Sequence, residues 1–167
     1  MQNASAAGYL KIGDIKGEST DDGHKDWINL LSVSQAISRD SSGHSSRAAH
    51  KASFGDIVVV KEVDASTPKL QESIAVGKHI PVVILDFTKI FADREGTAQQ
   101  QPYLQYELKN VMITSYSLSG DAQSDSVPTE QISLNFEEIK VTYTQYDEHG
   151  KKKGSVEYSW KVEEGTK

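Results

Sequence analysis

The 167-residue sequence contains no cysteine, only four prolines, and no long apolar run. Without cysteine the chain can form no disulfide and no thiolate metal site, and cysteine-dependent catalysis is excluded. No segment approaches the ~18 apolar residues of a membrane-spanning helix, so we expect no membrane insertion. Basic residues are also scarce, with 18 Lys and Arg against 24 Asp and Glu and a net charge of −6. Nucleic-acid-binding domains usually carry a basic face, and we therefore expect no nucleic-acid partner.

The remaining composition is that of a globular domain, with 37% hydrophobic and 25% charged residues. A chain of this length can bury roughly 70% of its unfolded surface, which is sufficient for one core. Because no internal repeat or composition boundary divides the sequence, we predict a single domain over residues 1–167. Residues 1–7 lack the basic and apolar segments of a secretory signal peptide. We expect them to be disordered or foreign to the native protein.

One short segment, between Ser66 and Gly77, has the features of a helix. Ser66 or Thr67 can cap its N-terminus with a side-chain oxygen. Leu70 and Ile74 are four residues apart and form a narrow apolar stripe. Gly77 can adopt the left-handed conformation that ends many helices. At roughly ten residues the helix is too short to be stable alone, so we expect it to dock on the rest of the fold.

The rest of the chain has the alternation of apolar and polar residues that is typical of β-strands. In two long segments, residues 103–118 and 131–146, the apolar positions change parity midway. A strand must bend or bulge there if its apolar side chains are to stay on one face. Long bent strands of this kind suit the corners of a small barrel. We therefore predict a mainly β fold with one short α-helix, either a β-barrel or a strongly curled sandwich. Of the two we favour a small closed β-barrel of two curled sheets.

The composition changes between residues 38 and 53, where small, polar and basic residues replace the apolar ones. Structureless segments of this length are uncommon inside compact domains and are usually functional or disordered. We predict an extended, mobile loop over residues 38–53 that projects from the barrel.

The residues that could support catalysis form no recognisable motif. The five histidines, His24, His44, His50, His79 and His149, show no metal-ligand spacing, and we interpret them as solvent-exposed loop residues. The sequence has neither a nucleophile elbow nor a phosphate-binding glycine loop. We therefore predict no catalytic residue, no metal ligand, no cofactor and no enzymatic activity.

Some strands carry more apolar residues than one core requires, as in Ile57–Val60, where both faces are apolar. The second face can pack either on the helix or on a neighbouring subunit, and the residues alone do not separate these cases. Three hypotheses follow: a structural protein that packs on neighbouring subunits, a monomeric β-barrel that binds a small ligand or a single protein, and a hydrolase whose site is assembled from loops.

Four segments, in order along the chain, resemble the haemolysin-coregulated proteins (Hcp) of bacterial type VI secretion: Tyr9–His24, Val63–His79, Leu108–Gly120 and Pro128–Tyr143. The resemblance implies a β-barrel protomer that closes into hexameric rings. These rings stack into a tube inside a contractile sheath, which expels the tube together with spike and effector proteins. The resemblance thus implies self-association, sheath, spike and effector partners, and a cytoplasmic protein that is later secreted without a signal peptide.

The resemblance also implies two contact sites. Ser34 lies in a segment that carries tryptophans around a serine in many relatives, whereas Val33 and Gln35 occupy those positions here. Ser34 is accordingly a candidate contact with effectors in the lumen. The 38–53 loop corresponds to the extended loop that contacts neighbouring rings in the family. Its candidate ring-contact residues are Arg39, His44, Arg47, His50 and Lys51.

Overall fold

The computed structural model describes residues 7–39 and 51–167, which form a mainly β fold with one helix. The elements are β1 (Gly8–Ile12), β2 (Ile28–Leu30), β3 (Ser32–Ser34), β4 (Ile37–Arg39), β5 (Ala52–Phe54), β6 (Ile57–Glu62), α1 (Thr67–Ala75), β7 (His79–Ala92), β8 (Ala98–Ser119), β9 (Thr129–Asn135), β10 (Glu138–Tyr146) and β11 (Lys152–Lys161).

Nine of the described strands form one sheet in the order β2-β1-β7-β8-β9-β6-β3, with β10 paired to β8 and β11 paired to β10. β4 and β5 form a separate two-stranded ladder. The branch at β8 follows from its length of 22 residues. The first half of β8 pairs with β10 through residues 104–109, and the second half pairs with β9 through residues 112–119.

The bend predicted in β8 lies at Asn110, where the strand changes partner. Asn110 has a φ of 49°, a left-handed conformation that asparagine tolerates better than most residues. A regular strand would place Leu108 and Val111 on opposite faces, yet both are fully buried. The parity change in the sequence therefore marks a real reversal of the strand's buried face.

The second parity change is a break between two strands. β9 ends at Asn135 and β10 begins at Glu138, so the predicted 131–146 strand is two strands. Phe136 in the break and Ile139 just after it are both buried. The Glu137 amide bonds the Lys109 carbonyl oxygen, beside the bend in β8. The two parity changes therefore meet at one corner of the sheet.

The prediction of a single docked helix is confirmed, with one correction at its N-terminus. Leu70 is fully buried and Ile74 packs against the core while half-buried. Gly77, at φ 63°, ends the helix as predicted, and its amide bonds the Ile74 carbonyl oxygen. The Ser66 side chain makes no cap bond to the helix. Thr67 Oγ1 instead accepts a hydrogen bond from the Asp64 amide, at 3.1 Å, which fixes the turn before the helix.

The core lies between the curved faces of the sheet and under the helix. It consists of aliphatic side chains and one phenylalanine: Leu10, Ile12, Ile28, Ile57, Val59, Leu70, Ile80, Val83, Leu85, Leu108, Val111, Ile113, Ile132, Leu134, Phe136 and Ile139.

The segment predicted to be an extended, mobile loop, residues 38–53, begins and ends in paired strands. β4 and β5 pair there, with Ser38 opposite Ser53 and Arg39 opposite Ala52. Backbone pairing holds the base of the segment, while residues 40–50 lie outside the described residues. Residues 1–6 also lie outside them, whereas the Ala7 carbonyl oxygen accepts a hydrogen bond from the Thr88 amide at 2.8 Å.

The first and last strands in the sheet order, β2 and β3, are neighbours in sequence, separated by Leu31. β2 pairs with β1 and β3 pairs with β6, and Leu31 lies between β2 and β3. The Leu31 amide donates to the Val60 carbonyl oxygen at 2.8 Å. In the described part of the chain, however, no strand ladder closes the sheet into the predicted barrel.

Candidate functional site

An apolar surface extends beyond the core along β8, β10 and β11. We call it the β10–β11 shelf, and it consists of Leu104, Tyr106, Val141, Tyr143, Val156 and Tyr158. Val141 pairs with Tyr106 on one side and Tyr158 on the other, and Tyr143 pairs likewise with Leu104 and Val156. Directly paired residues share one face of a sheet, so these six side chains form one continuous surface.

The shelf becomes exposed toward one end of the strands. Ile139 is fully buried opposite the half-buried Trp160, whereas Tyr143 is 44% exposed and Val156 is 75% exposed. The face that begins as core therefore continues into solvent. Surplus apolar surface on strands was predicted for Ile57–Val60, where Val58 and Val60 prove half-buried. The large exposed apolar surface lies instead on β10 and β11.

The outer edge of β11 is open along most of its length. Among the described residues, β10 is the one strand paired with β11, and the other edge carries an isolated bridge in which the Lys161 amide donates to the Thr166 carbonyl oxygen. An open strand edge presents unpaired backbone donors and acceptors, which proteins normally protect with charge or cover with a partner. An apolar face beside such an edge is typical of a protein-binding surface.

An apolar cavity of about 310 Å³ adjoins the shelf through Leu104 and Tyr106. Its walls come from β3, β4, the connection between them, β6, β7 and β8, and contain no charged side chain: Val33, Gln35, Ile37, Ile57, Leu85, Phe87, Leu104 and Tyr106. Gln35 Nε2 is buried without a hydrogen-bond partner. The cavity therefore fits an apolar group that carries one hydrogen-bond acceptor for Gln35. Its walls offer nothing to hold an anion or a metal ion.

The candidate contact residues from the sequence lie apart from the shelf. Ser34 is exposed on β3 opposite Val58, and strand alternation points it away from the face of Val33 and Gln35. Arg39 is exposed on β4. Lys51 Nζ donates to the Glu163 carbonyl oxygen of the same chain at 3.0 Å. The remaining candidates, His44, Arg47 and His50, fall outside the described residues.

The interpretation of all five histidines as solvent-exposed is wrong for His24. Its side chain is buried, with Nδ1 2.6 Å from Asp21 Oδ2 and Nε2 2.8 Å from Asp86 Oδ2. One signal was available, because Asp86 is an acid within the apolar run of β7 and needs a buried partner. By contrast, His79 and His149 are exposed.

A buried ion pair was also missed by sequence reasoning. Lys61 and Glu130 are fully buried, lie opposite each other on β6 and β9, and form a salt bridge. The strand pattern offers the signal, because Lys61 has the parity of Ile57 and Val59 and therefore faces the core. Burial, together with the adjacent Glu130 carboxylate, raises the pKa of the Tyr116 phenol.

Among residues 7–39 and 51–167, no group of three or more His, Asp and Glu side chains is arranged to hold a metal ion. Within the same residues, none of the helical structure is long and apolar enough to span a membrane.

Comparison with known proteins assigns the chain to a family. A model of the family described as "Type VI secretion system effector, Hcp" matches residues 9–143. The chain belongs to the Hcp family. Protein hcp1 of Pseudomonas aeruginosa is 34% identical over 157 residues, covering 92% of this chain and 93% of that protein. The resemblance found in the sequence is thereby confirmed.

Solved Hcp structures share the fold. A structure described as a type six secretion system protein superposes with a TM-score of 0.85 at 25% identity, covering 97% of this chain and 99% of the other. Hcp1 from Salmonella typhimurium superposes with a TM-score of 0.77 at 27% identity, covering 98% and 99%. This chain is thus a type VI secretion protein with the Hcp fold, mainly β with one helix.

Proposed function

We propose that the protein is a non-enzymatic subunit of the type VI secretion tube. Six protomers form a ring, rings stack into the tube, and the tube leaves the bacterial cytoplasm through the secretion machine with spike and effector proteins. The β10–β11 shelf is the observation that carries this proposal. A folded protomer that leaves Val156 75% exposed beside an open strand edge is suited to a permanent neighbour.

The protomer in this proposal is a closed barrel. The chain passes directly from β2 to β3 through Leu31, so one continuous stretch contacts both ends of the sheet path. The bond from the Leu31 amide to the Val60 oxygen supports closure at this point. A closed barrel has fewer open edges, which leaves β11 as the edge offered to a neighbour.

The ring in this proposal is head-to-tail. The shelf is one surface, and a different surface of the next protomer covers it, so that the repeated rotation closes a ring. Arg39 and Lys51 flank the 40–50 segment and are proposed to contact a neighbouring ring, together with His44, Arg47 and His50. Ser34 is proposed as a lumen contact, since it is exposed on β3.

The assembly is tested by placing a charge on the shelf. We expect the unchanged protein to form particles of about six times 18.4 kDa by light scattering, with a central hole in negative-stain images. Val156→Asp should weaken assembly by more than about tenfold, because an unpaired carboxylate would be buried at the contact.

Val127→Asp is the matched control, since Val127 is 50% exposed and lies in the connection between β8 and β9. It should assemble into rings as the unchanged protein does. An unchanged protein that stays monomeric at high concentration, or a Val156→Asp variant that assembles normally, would contradict the proposal.

A second candidate function is a monomeric β-barrel binding module, favoured by the 310 Å³ apolar cavity. This function requires a monomer that takes up an apolar ligand near Gln35. Ring formation with an empty cavity would reject it, and a monomer stabilised by such a ligand would support it over the tube.

A further inference from the structure

One buried histidine fastens the connection between β1 and β2, residues 13–27, to strand β7. His24 is 5% exposed and lies between the Asp21 carboxylate of its own connection and the Asp86 carboxylate of β7. A neutral imidazole has one N–H and can donate to only one carboxylate. The doubly protonated ring donates to both, so the geometry matches the imidazolium.

The surroundings hold the ring in this position. Tyr9 stacks on His24 with ring centroids 4.3 Å apart, and Trp27 meets it edge-on at 4.8 Å. The acceptors are themselves oriented, since Gln105 Nε2 donates to Asp86 Oδ1 at 2.8 Å. The cluster therefore joins β1, β7 and β8 to the connection that leads into β2.

Three further titratable groups lie around this cluster. Tyr9 on β1 has a pKa raised by burial, so its phenol remains neutral near neutral pH. Tyr146 on β10 has a pKa raised by burial and by the Asp86 charge. Lys11 on β1 lies over the Trp27 ring, with Nζ 5.9 Å from the ring centroid. Among these neighbours, His24 has the ordinary pKa closest to neutrality, near 6.5.

We propose that His24 is a proton-operated clasp, in which loss of one proton leaves either Asp21 or Asp86 without its hydrogen bond from the ring and releases residues 13–27 from β7. The clasp does not depend on ring assembly, because all of its contacts lie within one protomer. It also controls β2, since Trp27 immediately precedes that strand.

The direction of the effect follows from the balance of contacts. Burial alone lowers the pKa of His24, but hydrogen bonds to Asp86 and then Asp21 outweigh burial and raise the pKa overall. The folded pKa thus lies above the unfolded value of about 6.5. The stabilisation is fully present below about pH 6.5 and is lost as the pH rises through the folded pKa. Alkaline pH should therefore open the connection.

Hydrogen exchange followed by mass spectrometry tests the clasp. In the folded protein the Ser19 amide bonds the Trp27 carbonyl oxygen, and the Asp26 amide bonds the Ser19 oxygen. After correction for intrinsic rates, exchange in residues 13–27 should rise at least about tenfold between pH 6 and pH 9. His24→Gln, which cannot titrate, should exchange rapidly at pH 6 with no further rise.

His79→Gln is the matched control, because His79 is exposed, and it should follow the unchanged protein. Equal exchange profiles for the unchanged protein and His24→Gln would overturn the clasp.

A second measurement remains informative if His24→Gln does not fold. Titration of ¹³C-labelled histidine by NMR should place the His24 midpoint above the ordinary histidine value of about 6.5. Asp86→Asn keeps the size of the side chain and removes one charge, and it should lower the midpoint. A midpoint at or below about 6.5, or one that Asp86→Asn leaves unchanged, would overturn the proposal.

Discussion

Lys61 is the largest fully buried side chain among the described residues, and its contacts join the sheet to the helix. Besides its salt bridge with Glu130, Lys61 Nζ lies 2.9 Å from Asp64 Oδ1 and donates to the Glu62 carbonyl oxygen at 2.8 Å. Glu130 also accepts a hydrogen bond from Thr67 Oγ1 at 2.7 Å. A single pair of buried charges therefore connects β6, β9 and the first turn of α1.

Removing one partner of this pair should be costly. Lys61→Met leaves the Glu130 carboxylate buried without its cation, and we expect it to destabilise the protomer by about 3–5 kcal/mol. Replacing Lys61 by Met and Glu130 by Leu together should cost less, because the fully buried Glu130 carboxylate is then removed as well. Urea denaturation at a fixed protein concentration measures both effects.

Lys69→Met serves as the surface control, since the Lys69–Glu72 pair is exposed. It should change stability by less than about 0.5 kcal/mol. A Lys61→Met variant as stable as Lys69→Met would show that the buried pair does not support the fold.

At the scale of elements, α1 was predictable because its signals are local. A proline in the first turn, an i, i+4 apolar pair and a terminal glycine all act within a dozen residues. The helix ends in a Schellman motif, in which the Lys78 amide bonds the Ser73 carbonyl oxygen and the Gly77 amide bonds that of Ile74. The positions of the bend in β8 and of the break between β9 and β10 were predictable for a similar reason, since parity changes are visible in the sequence, although the sequence did not show that the second is a break.

Truncation of the helix's buried contact provides a test of docking. Leu70→Ala should destabilise the protomer by about 2–5 kcal/mol, because Leu70 is fully buried in the core. Ile74→Ala should cost less, since Ile74 is half-buried. Val76 is 68% exposed, and Val76→Ala should leave the melting temperature nearly unchanged. Equal melting temperatures for all three variants would show that the helix does not dock through Leu70.

At the scale of the whole molecule, the proposed tube function requires that assembly contribute to stability. A protein stabilised by its neighbours melts at a temperature that depends on its concentration. We expect the melting temperature to rise with protein concentration both for the unchanged protein and for the Val127→Asp control. The melting temperature of Val156→Asp should stay constant. Concentration-independent melting of the unchanged protein would argue against assembly through the β10–β11 shelf.

Sequence alone determined the family, the mainly β fold, the helix and the positions of the bends. These depend on residue order and on periodicity over a few residues, and they can be inferred without knowledge of distant contacts. It also located the 38–53 segment, although not the pairing of Ser38 with Ser53 at its base.

Only the tertiary structure showed which side chains meet. His24 and Asp86 are 62 residues apart and Lys61 and Glu130 are 69 apart, so no local pattern identifies them as partners. The same holds for the shelf, because the alternation of Val156 and Tyr158 is that of any half-buried strand. Whether such a face is buried depends on which strands cover it, and here the described protomer leaves it open. Burial and charge pairing are properties of the folded chain because residues distant in sequence create them.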